Sequence, residues 1–148
     1  MNHRYVPEEQ GVSAVEAVKQ AERHALADAE ISAKHLALGG DAGWQGGPIS
    51  DTRPSAGEGY ERQYAGGRIF WAPGAGAHEV HGAIAEKYLA LGGPQSVLGY
   101  PTTDESPCAR DEGRYNHFVG GSIYWMWRTG AHAVYRPIVD EWARRKAM

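Results

Sequence analysis

The chain has 148 residues, enough for one domain, with 15 Lys plus Arg against 18 Asp plus Glu, a formal net charge of −3 and no block of like charge. That balance disfavours nucleic acid and anionic membrane surfaces as partners, and no apolar run reaches the length of a bilayer span. A single cysteine, Cys108, excludes an internal disulfide framework, and 20 Gly, 5 Trp and 8 Tyr against 2 Phe describe a turn-rich chain whose aromatics mostly carry a polar handle.

Residues 12–38 predict one long helix or two joined. Ser13 and Glu16 form a capping box, and Val12 is placed to pack back on the first turn. Val15, Val18, Ala25, Ala29 and Leu36 read as the inner stripe. A straight helix of this length spans about 40 Å, more than the width of a small domain. A break between Asp28 and Ile31, or packing against a second chain's helix, is therefore expected, and a homodimer with it.

From Ile31 the chain repeats itself. Ile31-Ser-Ala-Lys34-His-Leu36-Ala37-Leu38-Gly39-Gly40 matches Ile84-Ala-Glu-Lys87-Tyr-Leu89-Ala90-Leu91-Gly92-Gly93 at an offset of 53. Gly66-Gly67-Arg-Ile69-Phe-Trp71 then matches Gly120-Gly121-Ser-Ile123-Tyr-Trp125 at an offset of 54, with one residue inserted near Asp111. Residues 31–80 and 84–134 share 22 identities, against roughly four expected by chance at ordinary composition. Repetition of this depth makes two tandem units the organising feature.

Inside a unit the period changes. Val80, Ile84, Tyr88 and Leu91 lie on one helical face, and Gly92-Gly93-Pro94 ends that helix. Ile123, Trp125 and Trp127 then alternate with Tyr124 and Met126 as a strand, Arg128-Thr129-Gly130 turns, and residues 131–135 return. Tyr135, Ile138 and Trp142 restart a third unit, with Pro137 in its first turn, which stops after its first element. The expected fold is α+β: tandem units of a helix plus a β-hairpin about a pseudo-symmetric centre, preceded by a long N-terminal helix. Residues 1–30 form the helical extension, and residues 31–148 the repeat domain, with units 31–83 and 84–137 and a partial unit 138–148.

Leu98-Gly99-Tyr100-Pro101, set between Lys87-Tyr-Leu-Ala-Leu-Gly-Gly93 and Phe118-Val-Gly-Gly-Ser-Ile-Tyr-Trp125, resembles the LGFP repeat family, with Tyr100 where that family usually has Phe. Asp104-Glu105 and Thr129-Gly-Ala-His132 continue the likeness, and Gln45-Gly46-Gly47-Pro48 stands at the motif's place in the first unit. The resemblance implies a compact repeat array of the kind carried by exported bacterial proteins, where it anchors enzymes to cell-wall polysaccharide.

Positions common to both units are expected to be structural: the paired glycines as turns, and His78 and His132 as rings tied to a backbone group at a turn. Trp71 and Trp125 read either as core or as platforms for a ligand ring. Positions that differ between units are better candidates for function. Trp127, on the expected face of Trp125, marks a stacking surface for a sugar or planar molecule, with Tyr124, Tyr115, Arg114, Asp104 and Glu105 to bond its hydroxyls. Cys108 with His117 is a weak nucleophile–base pair, and His78 with His81 a weak metal pair lacking a third ligand. No GxxxxGK[ST] or strand-linked GxGxxG occurs, so nucleotide-phosphate binding is not supported, and neither a cofactor nor a metal is expected.

The leading expectation is a non-catalytic carbohydrate-binding module for a cell-envelope glycan, using Trp125, Trp127, Tyr124, Trp71, Tyr115, Arg114, Asp104 and His132. One alternative is a cytoplasmic small-molecule enzyme or binder, with His132, Asp104 and Glu105 as acid–base groups. Another is a structural interaction module docking through residues 1–30. Pro7, Glu8, Glu9 and Gln10 interrupt the first apolar stretch, which favours a cytoplasmic location, with export as the alternative if a leader has been trimmed.

Overall fold

The computed structural model describes residues 13–109 and 112–136. Helix α1 (Ala14–Ala37) opens as its capping box predicts, with the Ser13 hydroxyl accepting from the Glu16 N–H at 3.1 Å. It then runs without interruption through Asp28–Ile31, so the expected break does not occur. The expected inner stripe is also overturned. Val15 and Leu36 are 64% and 74% exposed, and the buried face is instead Ala27, Ile31 and His35, at i, i+4 and i+8. His35 takes a core position because its ring nitrogens face Gln45 Oε1 and Asp41 Oδ1, each at 2.8 Å, and its ring stacks on Tyr64 at 4.2 Å.

Gly39 ends α1 with φ +113°, a left-handed conformation that an L side chain rarely adopts, and Gly92 repeats that angle after α2 (Gly82–Ala90). Each helix leads through a 3₁₀ turn into an antiparallel meander of four strands. The first sheet is β1 (Arg53–Pro54), β2 (Tyr60–Tyr64), β3 (Gly67–Ala72) and β4 (Gly76–Val80). The second is β5 (Ser106–Pro107), β6 (Gly113–Phe118), β7 (Gly121–Met126) and β8 (Gly130–Tyr135). The predicted hairpin of each unit is thus its last two strands, extended by two more. The polar run Tyr60-Glu-Arg-Gln-Tyr64 conceals β2, because only its two tyrosines are buried. The fold is α+β, with the order helix, turn and four-stranded sheet occurring twice. The third unit expected to restart at Tyr135 lies outside the described residues from Pro137 onward, as does the insertion at Asp111.

The first sheet is covered on both faces. Ile69 and Trp71 join Ala27 and Ile31 of α1 in one core, whereas Phe70 and Val80 join Ile84 and Tyr88 of α2 in another. That second core also takes Leu98, Phe118 and Ile123, so α2 ties the two sheets together. Both motif loops keep one backbone form. Gly46 and Gly99 have φ +73° and +69°, and Pro48 and Pro101 bridge to Tyr64 and Phe118. Tyr88 and Leu98 of unit two become His35 and Gln45 in unit one, a hydrogen-bonded pair in place of an apolar one. Tyr100 crosses to the first unit, where its hydroxyl donates to the Ala56 carbonyl. A Cβ on Gly59 would overlap its ring, so Gly59 leaves the room for this fastening.

Candidate functional site: a cleft at the start of the second helix

In the second repeat a cleft of about 220 Å³ lies between the start of α2 and the second sheet, lined by His81, Gly82, Ala83, Ile84, Glu105, Arg114 and Trp125. Strand register builds one wall: Arg114 on β6 pairs with Trp125 on β7, so both side chains leave the same face of the sheet. The chain turns directly from β4 into α2, which sets His81 at the N-cap. Its side chain caps nothing, because it is engaged elsewhere.

Beneath the cleft lies a row of alternating charges. Glu79 is 3% exposed; its carboxylate accepts from His81 Nδ1 at 2.7 Å and from the Glu105 backbone N–H at 3.0 Å. His81 Nε2 faces the Glu105 carboxylate at 3.3 Å, and that same oxygen accepts from Arg114 Nε at 3.1 Å. Trp44, from the first repeat, lies against the His81 ring with centroids 4.4 Å apart. The hydrogen bond to Glu79 raises the His81 pKa against the opposing effect of burial, so the imidazolium is favoured. Burial raises the Glu105 pKa, with His81 and Arg114 pulling the other way. The arrangement offers an aromatic surface beside a guanidinium, an imidazolium and a carboxylate, which is a set for bonding hydroxyl and acid groups directionally.

Three residues chosen from the sequence therefore meet here: Trp125, Arg114 and Glu105. Asp104 does not join them. It accepts from Lys34 Nζ at 2.7 Å, from the Glu79 N–H at 3.1 Å and from His78 Nδ1 at 3.3 Å, which fastens α1 and β4 to the second repeat. Burial works against its charge, but His78 and Lys34 prevail and hold its carboxyl at about 2. Tyr115 and Tyr124 occupy the opposite face of the second sheet beside His117, their rings 5.8 Å apart. His132 also lies on that face, exposed, with its Nε2–H donated to the Thr129 carbonyl at 2.8 Å, and His78 likewise donates to Ala75 at 2.6 Å. Both histidines thus hold turns, as expected, and His132 is not gathered with Asp104 and Glu105 into an acid–base group.

The expected pairing of Trp125 with Trp127 does not form. Strand β7 ends at Met126, so alternation stops one residue short; Trp127 sits in the turn, 65% exposed, under the Arg128 guanidinium at 4.7 Å. Trp71 is core, 3% exposed, with its indole N–H donated to Glu30 at 2.6 Å. Cys108 and His117 stay apart. Cys108 bonds to Gly113, four residues along β6 from His117, or about 13 Å. His117 instead pairs with Ser122 at 2.6 Å. His78 and His81 bond to different carboxylates and do not converge.

Glu79, buried beneath the cleft, does not stand out from the sequence, and His81, on its wall, does so only as half of a weak metal pair. Glu79 and His81 become Ala133 and Tyr135 in the second unit. The rule that singled out Trp127, difference between units, would have found both.

Comparison with curated proteins finds no match. A family model described as LGFP repeat matches residues 46–96 and 98–147. These segments cut the same repetition at a different phase from the helix-first units, and together they cover most of the chain. The chain belongs to the LGFP repeat family.

Proposed function

We propose that this chain is a non-catalytic carbohydrate-binding module for a cell-envelope glycan, and that the second-repeat cleft is its binding site. The observation that carries this reading is the meeting of Trp125 with Arg114, Glu105 and His81 on one open wall. An indole face packs against the C–H face of a pyranose, and the charged row beside it bonds the ring hydroxyls. The volume of about 220 Å³ falls below the range of about 300–1,000 Å³ that encloses drug-sized ligands. It suits one sugar ring, an end or branch of a polymer.

Co-sedimentation with insoluble cell-wall polysaccharide at low salt tests this. The wild type is expected in the pellet. Trp125→Ala and Arg114→Gln are expected to bind at least about tenfold more weakly, as loss of a central contact does. Trp127→Ala is expected to sediment like the wild type. A wild-type protein that stays in the supernatant, or a Trp125→Ala variant that pellets normally, would contradict the reading.

A further inference from the structure

The first repeat holds a template for what the second-repeat cleft lacks. In repeat one Trp71 donates its indole N–H to the Glu30 carboxylate at 2.6 Å, and Tyr60 pairs with Trp71 across β2 and β3. The matching positions in repeat two are Trp125, Ala83 and Arg114. The carboxylate is gone, and a guanidinium stands where a phenol stood. Nearby, Asp28 and Thr52, hydrogen-bonded to each other at 2.6 Å, become His81 and Glu105. Over these five positions repeat one carries Glu30 and Asp28, a formal −2. Repeat two carries Arg114, His81 as imidazolium and Glu105, a formal +1.

The cleft lies between Trp125 and Ala83, the two positions that repeat one bridges with its Trp71–Glu30 bond. Arg114 gives only its Nε to Glu105. Among the described residues its two terminal nitrogens have no protein acceptor, and neither does the Trp125 indole N–H. Glu105 also faces the cleft, but its charge is already shared between Arg114 and His81. The uncovered groups are therefore donors, and the group missing from among them is an oxyanion.

Resting on the reading of this cleft as the glycan site, we propose that it takes a sugar that carries a carboxylate, a hexuronic acid or sugar acid of that kind. The ligand's carboxylate takes the place that Glu30 holds in repeat one, between the indole N–H and the guanidinium. The ring then lies along Trp125 with hydroxyls toward Glu105.

The test reads the indole N–H signals in ¹⁵N–¹H spectra, with Trp125 assigned through Trp125→Phe, during titration with sodium glucuronate, glucose or acetate. Glucuronate is expected to move the Trp125 signal saturably. Glucose and acetate are each expected to bind at least about tenfold more weakly, the worth of one charge-assisted hydrogen bond. Ala83→Glu supplies the missing carboxylate from the chain itself, at a helix start where an acidic residue is favourable. In this variant the Trp125 signal should shift in the free protein, and the response to glucuronate should disappear. A Trp125 signal that glucuronate leaves unmoved would overturn the proposal, as would an Ala83→Glu variant with undiminished affinity. Glucose binding as tightly as glucuronate would also overturn it while leaving the glycan reading in place. Glucuronate binding without retention on wall polysaccharide would keep the carboxylate site and remove the envelope glycan.

Discussion

Repeat one and repeat two use one sequence of elements to opposite ends. In the first, α1 continues for 17 residues before Ile31, and that extra length covers the sheet: His24 stacks on Tyr60 at 4.8 Å, the Tyr60 hydroxyl donates to Gln20, and Glu30 takes the indole N–H of Trp71. In the second, α2 begins at Gly82, two residues before the matching Ile84, so the face bearing Arg114 and Trp125 stays open. The same tryptophan position is core in one unit and cleft wall in the other. Whether this face of a repeat's sheet is covered or open is thus decided by the length of its helix on the N-terminal side, more than by the residues its hairpins share.

Truncating the two tryptophans should separate the repeats most strongly. Trp71→Ala empties a closed core and is expected to cost about 4 kcal/mol. Trp125→Ala should cost only about 1–2 kcal/mol, because one side of the ring already faces the cleft. Urea unfolding of both variants measures the difference, and equal losses would show that Trp125 is core as well.

Next in size is the fastening between repeats. Asp104→Asn removes a charge held by Lys34 and His78 and is expected to cost about 2 kcal/mol, discounted because the carboxylate is partly exposed. Since its folded pKa is about 2 against an ordinary 3.8, the stabilisation is present above the ordinary value and lost as pH falls toward 2. The variant should therefore lose less stability than the wild type over that acid range in unfolding curves. An unchanged acid limb would show that Asp104 is not the group responsible.

The equivalence of the two motif loops is open to a double-mutant cycle. His35→Tyr and Gln45→Leu each strand one partner of a buried hydrogen bond, while together they restore the Tyr88–Leu98 pairing of repeat two. The singles should each be destabilised, and the double should recover about 1–2 kcal/mol of coupling, measured by thermal unfolding. Additive losses would mean the loops are not equivalent. The smallest effects belong to His132→Ala, on an exposed face of β8, and Trp127→Ala, in the exposed turn, whose loss should change stability by less than about 0.5 kcal/mol.

Much of this organisation is written in residue spacing. The glycine pairs and the alternation around Ile123 mark turns and strands because backbone geometry demands particular residues there; Arg114 and Glu105 stand out as departures from the repeat, and Trp125 as an aromatic common to both units. Other features depend on contacts that spacing does not carry. The buried stripe of α1 includes His35, which reads as a surface residue until Gln45 and Asp41 are known to bond it. Val15, Val18 and Leu36 mimic an inner face, yet they point away from the sheet. Trp127 fits the alternation of β7, but the turn begins one residue earlier. His81 and Glu79 lie in neighbouring elements, and only the turn from β4 into α2 brings them against Glu105 from the second repeat.

Binding at the open Trp125 face, and not at the covered Trp71 face, is tested most directly by following all five tryptophan indole signals while soluble cell-wall polysaccharide fragments are added. A saturable shift of Trp125, with Trp71 and Trp127 unmoved, is the expected result. A shift confined to Trp71 or Trp127, with Trp125 unchanged at saturation, would contradict it.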